Sequence, residues 1–360
     1  MKICVIAPTY MPARRANTIQ VAKMTQAFCA LGHEVCLVVP SSKAQDWHKP
    51  MLADWDEWRD HYGLQHAFPV IWLAANPKLR RFDYGLRAFL WARQWGAELV
   101  YTRLPQAAAF TSFWGLPTIF EIHDFPYGLF GKLLFRLFLK GRGARRLVVI
   151  TKALLEDLAL RFGIPQAPPF SLIAPDGVDL PRYANLPAPK EARRVLVEKG
   201  VVIIDRFTAG YSGHLYAGRG VQLMLEMAKQ LTDITFLIMG GEPQDVVRVH
   251  EEVKSIGLDN VILTGFVPNN ELPLYQASCD VLLMPYQEHV SASSGGDIAK
   301  YLSPMKMFEY LACGRPILSS DLPVLKEVLS SENAILLPPR DLAAWVTLSL
   351  IHISEPTRPY

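Results

Sequence analysis

The stretch MKICVIAPTYMPARRANTIQVAKMTQAFCALGHEVCLVVP, residues 1–40, decides the fold. Lys2–Pro8 is an apolar strand and Pro8–Ala16 a loop. A helix from about Asn17 then carries Val21, Met24, Phe28 and Leu31 on one face. Asn17 has the side chain of an N-cap, Gly32 suits the helix stop, and Glu34–Pro40 is the next strand. This βαβ unit predicts a parallel sheet with a ligand crevice beyond the C-terminal ends of its strands.

Outward from it, the pattern continues. Residues 41–66 are polar and Trp-rich and read as an insertion. Strands are predicted at Val70–Leu73, Leu99–Tyr101, Thr118–Ile122, Leu147–Ile150 and Ser171–Ile173, with helices between. The Pro-rich, polar stretch RYANLPAPKEARR (182–194) reads as a linker, after which a second strand–helix series runs from Ala209–Ser212 to Pro316–Ser319. A chain of 360 residues suits two domains: 1–182, a linker over 183–195, and 196–347. Neither half contains GxGxxG, which disfavours a dinucleotide cofactor. Residues 348–358, LSLIHISEPTR, match the translation of a transposase-type sequencing adapter. Residues 348–360 are therefore expected to be foreign to the fold, and the second domain to be cut short.

Half of the residues are hydrophobic and a fifth are charged, a globular composition, and no run is long enough to span a bilayer. MKICVIAP is too short an apolar segment for a signal peptide. The five cysteines form no CxxC pair and read as reduced core residues, so a cytoplasmic location is expected. Residues 1–190 hold 23 Lys and Arg against 14 Asp and Glu, whereas 191–360 hold 14 against 20. The first half therefore faces an anionic partner, or carries scattered surface charge. No nucleic-acid recognition module accompanies the charge, and no nucleic-acid partner is expected. Residues 128–146, GLFGKLLFRLFLKGRGARR, read either as a basic amphipathic helix lying on a membrane or as a core helix with a basic edge.

Two elements of the second half could carry chemistry. GHLYAGRG (213–220) follows a strand and precedes an apolar helix. Glycines there allow backbone N–H groups to approach a phosphate at a helix N-terminus, and Arg219 adds a forked cation; a plain tight turn is the other reading. In SPMKMFEYLACG (303–314), Ser303 suits the N-cap, Pro304 the first helical position and Gly314 the stop. Lys306 and Glu309 share one face, as a site or as a surface ion pair.

The segment SPMKMFEYLACGRPILSSDLPVLKEVL (303–329) resembles the donor-site segment of glycosyltransferase family 4. GHLYAGRG is similar to that family's phosphate loop and TGFVPNNELPLYQASCDVLLMPY (264–286) to its nucleoside-contacting stretch. EIHDFP (121–126) and PDGVDL (175–180) follow its order. The resemblance covers about 1–340 and implies the GT-B fold, an α/β architecture of two Rossmann-like domains facing a cleft. It implies a retaining transferase that takes a nucleotide-diphosphate sugar as co-substrate, with no cofactor and no metal, for a glycan, lipid-linked or small-molecule acceptor. Glu309 would bind the ribose hydroxyls, and Arg219 with Lys306 would neutralise the diphosphate. Phe266 and Val267 would set backbone against the base, and His123 would reach the transferred sugar. Gly213, His214, Gly220 and Ser303 complete the implied donor site, and Arg14, Arg15 and Asp124 the acceptor side. The leaving diphosphate is itself implied to take the acceptor's proton.

The chain departs from the family in three places. Tyr301 stands at the first position of the usual Glu-x7-Glu, the loop cations are His214 and Arg219 in place of Arg and Lys, and PTYMPARRAN (8–17) lacks the usual Gly pair. Two alternatives stay open: a non-catalytic nucleotide-binding paralogue, and another GT-B enzyme such as a nucleotide-sugar epimerase. Asp54-Trp55-Asp56 has the form of a metal-binding DxD but lies in the polar insertion instead of after a strand.

Overall fold

The computed structural model describes residues 1–13, 15–41, 55–201, 205–291 and 296–347. The chain divides into two units, Met1–Pro175 and Asp176–Tyr360.

The first unit runs β1 (Lys2–Ile6), α1 (Ala16–Ala30), β2 (Glu34–Ser41), α2 (Trp55–Tyr62), β3 (Val70–Ala74), α3 (Phe82–Trp95), β4 (Leu99–Thr102), α4 (Pro105–Phe113), β5 (Thr118–Ile122), α5 (Gly128–Lys140), β6 (Ala144–Val149), α6 (Lys152–Phe162) and β7 (Ser171–Ile173). The strand order is β3-β2-β1-β4-β5-β6-β7, all pairs parallel. The order reverses between β1 and β4, the switch point beyond which such sheets bind ligands. Ile3 and Val5 of β1 enter one core with Trp58 and Tyr62, while Cys4 and Ile6 enter another with Tyr84 and Ala88. Burial on both faces explains why the strand reads as an unbroken apolar run.

The second unit contains α7 (Pro189–Glu198), β8 (Thr208–Ser212), α8 (Val221–Gln230), β9 (Thr235–Met239), α9 (Pro243–Ser255), β10 (Val261–Gly265), α10 (Leu272–Ala277), β11 (Val281–Met284), α11 (Met305–Cys313), β12 (Ile317–Ser320) and β13 (Ile335–Leu337). Its parallel sheet is ordered β10-β9-β8-β11-β12-β13, with the switch point between β8 and β11. Trp345 is fully buried on one side of this sheet.

Several expectations need correction. The division falls at Pro175 instead of 182, and most of the expected linker 183–195 is ordered: Tyr183 is buried and α7 packs Ala192 and Leu196 into the second unit's core. Its prolines mimic a linker, but Pro189 stands in the first turn of α7, where a missing N–H costs nothing. Within 41–66, α2 buries Trp58 and Tyr62 and so belongs to the core. Asp54 lies outside the described residues, and Asp56 forms an exposed ion pair with Arg59 at 3.1 Å. Asn17 is no N-cap: extended Arg15 flanks α1, and the Thr18 hydroxyl lies 2.7 and 2.8 Å from the carbonyls of Ala13 and Arg15. Leu31 follows α1 as its C-cap and is exposed. Residues 128–146 are not one helix. The α5 helix ends at Lys140, and Arg145 and Arg146 lie exposed on β6. Residues 348–360, including the adapter-like stretch, lie outside the described residues.

Candidate functional site

In the second unit, β8 delivers Ser212 and Gly213 to the switch point, and the loop Gly213–Gly220 leads into α8. Gly220 has φ +83°, and a Cβ there would lie 2.0 Å from the Pro285 carbonyl oxygen. Gly213 has φ +136°, and a Cβ would meet Lys306 Nζ at 2.9 Å. The loop therefore passes close to both a backbone and a cation, and only glycine permits it.

Lys306 and Glu309 project from α11, and both are buried. Lys306 Nζ sits 3.5 Å from the centroid of the Tyr211 ring and 5.5 Å from that of Tyr286, with no hydrogen-bond acceptor among the described residues. Arg219 lies against the same Tyr286 ring at 5.3 Å and donates Nη1 to its hydroxyl at 3.2 Å, while its Nε has no partner there. Burial, and then the Arg219 charge, hold the Lys306 ammonium well below the usual lysine range, against the pull of Glu309. Two basic groups share one aromatic ring in a buried place, with Lys306 Nζ and Arg219 Nε lacking acceptors among the described residues, an arrangement chemically able to receive an anion.

Glu309 Oε2 accepts from Gln276 Nε2 at 3.0 Å. Gln276 is fully buried; its Nε2 also reaches Ser212 Oγ at 3.1 Å, and its Oε1 accepts from the Tyr183 hydroxyl at 2.9 Å. Burial raises the Glu309 carboxyl, opposed by the Gln276 bond and the charges of Arg182 and Lys306. The Tyr310 hydroxyl fixes the strand end by accepting from Ser212 N at 2.7 Å.

The structure thus brings Gly213, Arg219, Lys306 and Glu309 together, with Gly220 opening α8 beside them. His214 lies in the same loop; its carbonyl accepts from the Tyr211 hydroxyl at 2.6 Å and its ring stacks on Tyr216. Phe266 and Val267 follow β10, and the Val267 side chain is buried in the same core as Met307 and Tyr310. Ser303 does not cap α11, whose flanking residue is Pro304; its hydroxyl accepts from Asp176 N at 3.1 Å. Tyr301 is buried. Tyr183, Tyr211, Gln276 and Tyr286 were not anticipated as site residues. Gln276 and Tyr286 lie within the stretch 264–286, but nothing in their spacing marked them.

In the first unit, β5 ends in a buried Glu121, followed by Ile122 and then His123. Glu121 receives His123 Nε2, the Tyr101 hydroxyl and Gln20 Nε2, and Arg103 Nε lies 3.8 Å away. Burial works to raise its carboxyl, but His123, Arg103 and Tyr101 together bring it down to about 2. Arg103 Nη2 is 2.7 Å from His123 Nδ1. A guanidinium only donates, so Nδ1 accepts and Nε2 carries the proton shared with Glu121. Both ring nitrogens of His123 are thereby engaged within this unit. Asp124 is exposed and accepts from Phe125 N at 2.7 Å; Arg15 is exposed beside α1, and Arg14 lies outside the described residues.

The glycosyltransferase family 4 model matches residues 18–182, and the glycosyl transferases group 1 model matches 206–350. The chain belongs to glycosyltransferase family 4. Within it, this family 4 chain is 33% identical over 149 residues to the 2-deoxystreptamine glucosyltransferase of Streptomyces kanamyceticus, which covers 40% of the chain and 37% of that protein. It is 27% identical over 223 residues to the alpha-galactosylglucosyldiacylglycerol synthase of Streptococcus pneumoniae, covering 58% and 55%. The matched part thus spans about half or less of these relatives' lengths. Among solved structures, the sucrose-phosphate synthase of Thermosynechococcus elongatus superposes with a TM-score of 0.71 at 18% identity, covering 99% of the chain and 90% of that protein. Anabaena HepE in complex with UDP gives 0.71 at 16%, covering 100% and 92%. At these identities the likeness establishes the fold, two Rossmann-like sheets of the GT-B type.

Proposed function

We propose that this family 4 chain is a retaining glycosyltransferase that takes its sugar from a nucleotide-diphosphate sugar bound by the second unit. The observation that carries the reading is the Arg219–Lys306 pair on the Tyr286 ring, one helical turn from buried Glu309. The diphosphate would lie against the two cations and the N-terminus of α8, and Glu309 would accept from the ribose hydroxyls. As the glycosidic bond breaks, negative charge grows on the leaving diphosphate, and cations already in place stabilise it without reorganisation. The same two charges make an added metal unnecessary in this account. His123 would contribute from the first unit to the transferred sugar, held in one tautomer by Arg103 and Glu121.

The acceptor is read as a glycan or a lipid-linked saccharide of a bacterial surface polysaccharide or glycoconjugate. The test is release of nucleoside diphosphate from a panel of UDP- and GDP-sugars. Turnover of one member, reduced about tenfold or more in Glu309→Ala and Arg219→Ala, supports the reading. Turnover equal to the parent's in both variants refutes it.

A further inference from the structure

The exposed apolar side chains of the first unit are concentrated on one face. Of nineteen large hydrophobic residues exposed among the described residues, nine belong to α3, α4, α5 and the turns that flank them. The α4 helix contacts both α3 and α5 and contains no charged residue. The α3 helix exposes Leu86 and Leu90, and α4 ends in exposed Phe113 and Trp114. The α5 helix exposes Leu129 at 80% together with Phe130 and Leu133. Ring contacts join the three helices: Phe82 meets Phe110 at 6.4 Å and Phe130 at 6.0 Å, and Trp114 stacks on Phe89 at 4.8 Å. A face of this extent is more than scattered surface hydrophobicity.

Its charge is equally one-sided. Residues 77–146 contain twelve Lys and Arg against four Asp and Glu, and one of the four, Glu121, is buried. This segment is thus more positive than the whole chain, whose net charge is +3. The exposed stripe of α5 passes from Leu129 and Leu133 to Arg136 and Lys140, and that of α3 from Leu86 and Leu90 to Arg93. Arg80 and Arg81 both adopt left-handed backbone at the head of α3, with the Arg80 carbonyl held by Gln106 Nε2 at 2.8 Å. Non-glycine residues keep that conformation only where their surroundings impose it.

We propose that the α3–α4–α5 face seats the protein on an anionic phospholipid bilayer. Leucine and aromatic side chains enter the headgroup boundary, and the lysines and arginines meet lipid phosphates. No described helix is long and apolar enough to cross a membrane, so contact is at the surface. The proposal rests on the lipid-linked acceptor reading for its purpose, but its test is independent of the donor site.

The chain is sedimented with vesicles of phosphatidylglycerol and phosphatidylcholine, and with phosphatidylcholine alone. Binding to the anionic vesicles is expected, weakened in 0.5 M salt. Partition should fall about tenfold or more in Leu129→Ser/Phe130→Ser, in Phe113→Ser/Trp114→Ser and in Lys132→Glu/Lys140→Glu. UDP affinity should stay as in the parent and unfolding should stay cooperative, although the serine variants lose the ring contacts of Trp114 and Phe130 and melt somewhat lower. The proposal is overturned if anionic vesicles do not bind the chain, if the variants bind equally, or if the serine variants instead abolish a lipid-free self-association. Failure of the parent to bind either UDP or GDP would count against the transferase reading alone.

A separate observation concerns the donor site. The Tyr183 hydroxyl donates to Gln276 Oε1, which leaves the Gln276 amide nitrogen to donate to Glu309 and Ser212. We infer that Tyr183 and Gln276 are positioning residues that orient Glu309 and keep it an acceptor. Glu309 also feels Lys306, Arg182, Tyr183, Tyr286, Tyr310 and Cys313. Removing its donor in Gln276→Leu should therefore make UDP affinity fall away at a higher pH on the acid side. Tyr183→Phe should act in the same direction, and Gln276→Asn should restore neither reach nor affinity. A purely structural role would lower thermal stability in these variants and leave the pH profile of binding in place. That outcome, or an unchanged profile in a stably folded Gln276→Leu, overturns the inference.

Discussion

Replacing Lys306 by Met should strengthen the fold and weaken the site at once. The lysine is buried, donates no hydrogen bond among the described residues, and shares the Tyr286 ring with Arg219. Burying an ammonium costs several kcal/mol, and contact with the Tyr211 ring at 3.5 Å returns about 2 kcal/mol of it. Met keeps the length of the chain and its packing without the charge. A gain of roughly 1–3 kcal/mol in the ligand-free protein follows, or about 2–12 °C in Tm for a domain of this size. Binding of UDP loses one charge-assisted contact of about 1.5–3 kcal/mol, a roughly 10- to 150-fold weaker Kd.

The pH dependence has a definite sign. Because the folded Lys306 loses its proton below the ordinary 10.5, the unfolded chain binds more protons between the two values. The stability of the ligand-free parent therefore rises with pH across that window, and Lys306→Met removes the rise. A bound diphosphate restores the ammonium, so UDP binding takes up a proton in that window, which calorimetry in buffers of different ionisation enthalpy measures. A variant with lower Tm and UDP affinity within twofold of the parent refutes this reasoning.

The first unit offers a second titration. Glu121 falls from an ordinary 4.5 to about 2, which corresponds to about 3 kcal/mol of stability present above pH 4.5 and lost as pH falls toward 2. Acid unfolding of Glu121→Gln should lack that component, and its stability at pH 7 should drop by about 3–5 kcal/mol, because Arg103 and His123 lose their anion. His123→Ala should lower kcat far more than donor affinity; equal losses in both would make it a structural residue. Gly220→Ala meets the Pro285 carbonyl in left-handed backbone and should lose about 2–4 kcal/mol together with UDP binding, read by thermal unfolding and calorimetry. Turnover should survive EDTA, since Arg219 and Lys306 supply the charge; loss of activity restored by a divalent cation would refute that.

The central strands were legible because they are buried on both faces, so that stretches such as Lys2–Ile6 and Val281–Met284 stand out as apolar runs between turn signals. Local signals failed where tertiary structure decided. Pro189 and its neighbours have linker composition, but Ala192 and Leu196 find a core only once α10 is beside them. Ser303 has the chemistry of an N-cap, yet a backbone N–H from Asp176, distant in sequence, takes its hydroxyl. In the site, Arg219, Lys306 and Glu309 could be singled out because charge on an otherwise apolar helix or a glycine loop is conspicuous. Gln276, Tyr183 and the two tyrosine rings could not, since uncharged residues acquire their roles only from distances that no spacing encodes. Glu121 lay within the EIHDFP stretch, but its part in fixing His123 depends on Arg103 and Tyr101, both on or just after β4.

The central claim is that the second unit binds a nucleoside diphosphate through Arg219, Lys306 and Glu309. Isothermal titration of UDP and GDP into the chain and its Arg219→Ala, Lys306→Met and Glu309→Ala variants tests it most directly. One nucleotide should bind the parent, and each substitution should weaken it by about 1.5–3 kcal/mol. Binding of neither nucleotide, or the parent's affinity retained in all three variants, would contradict it.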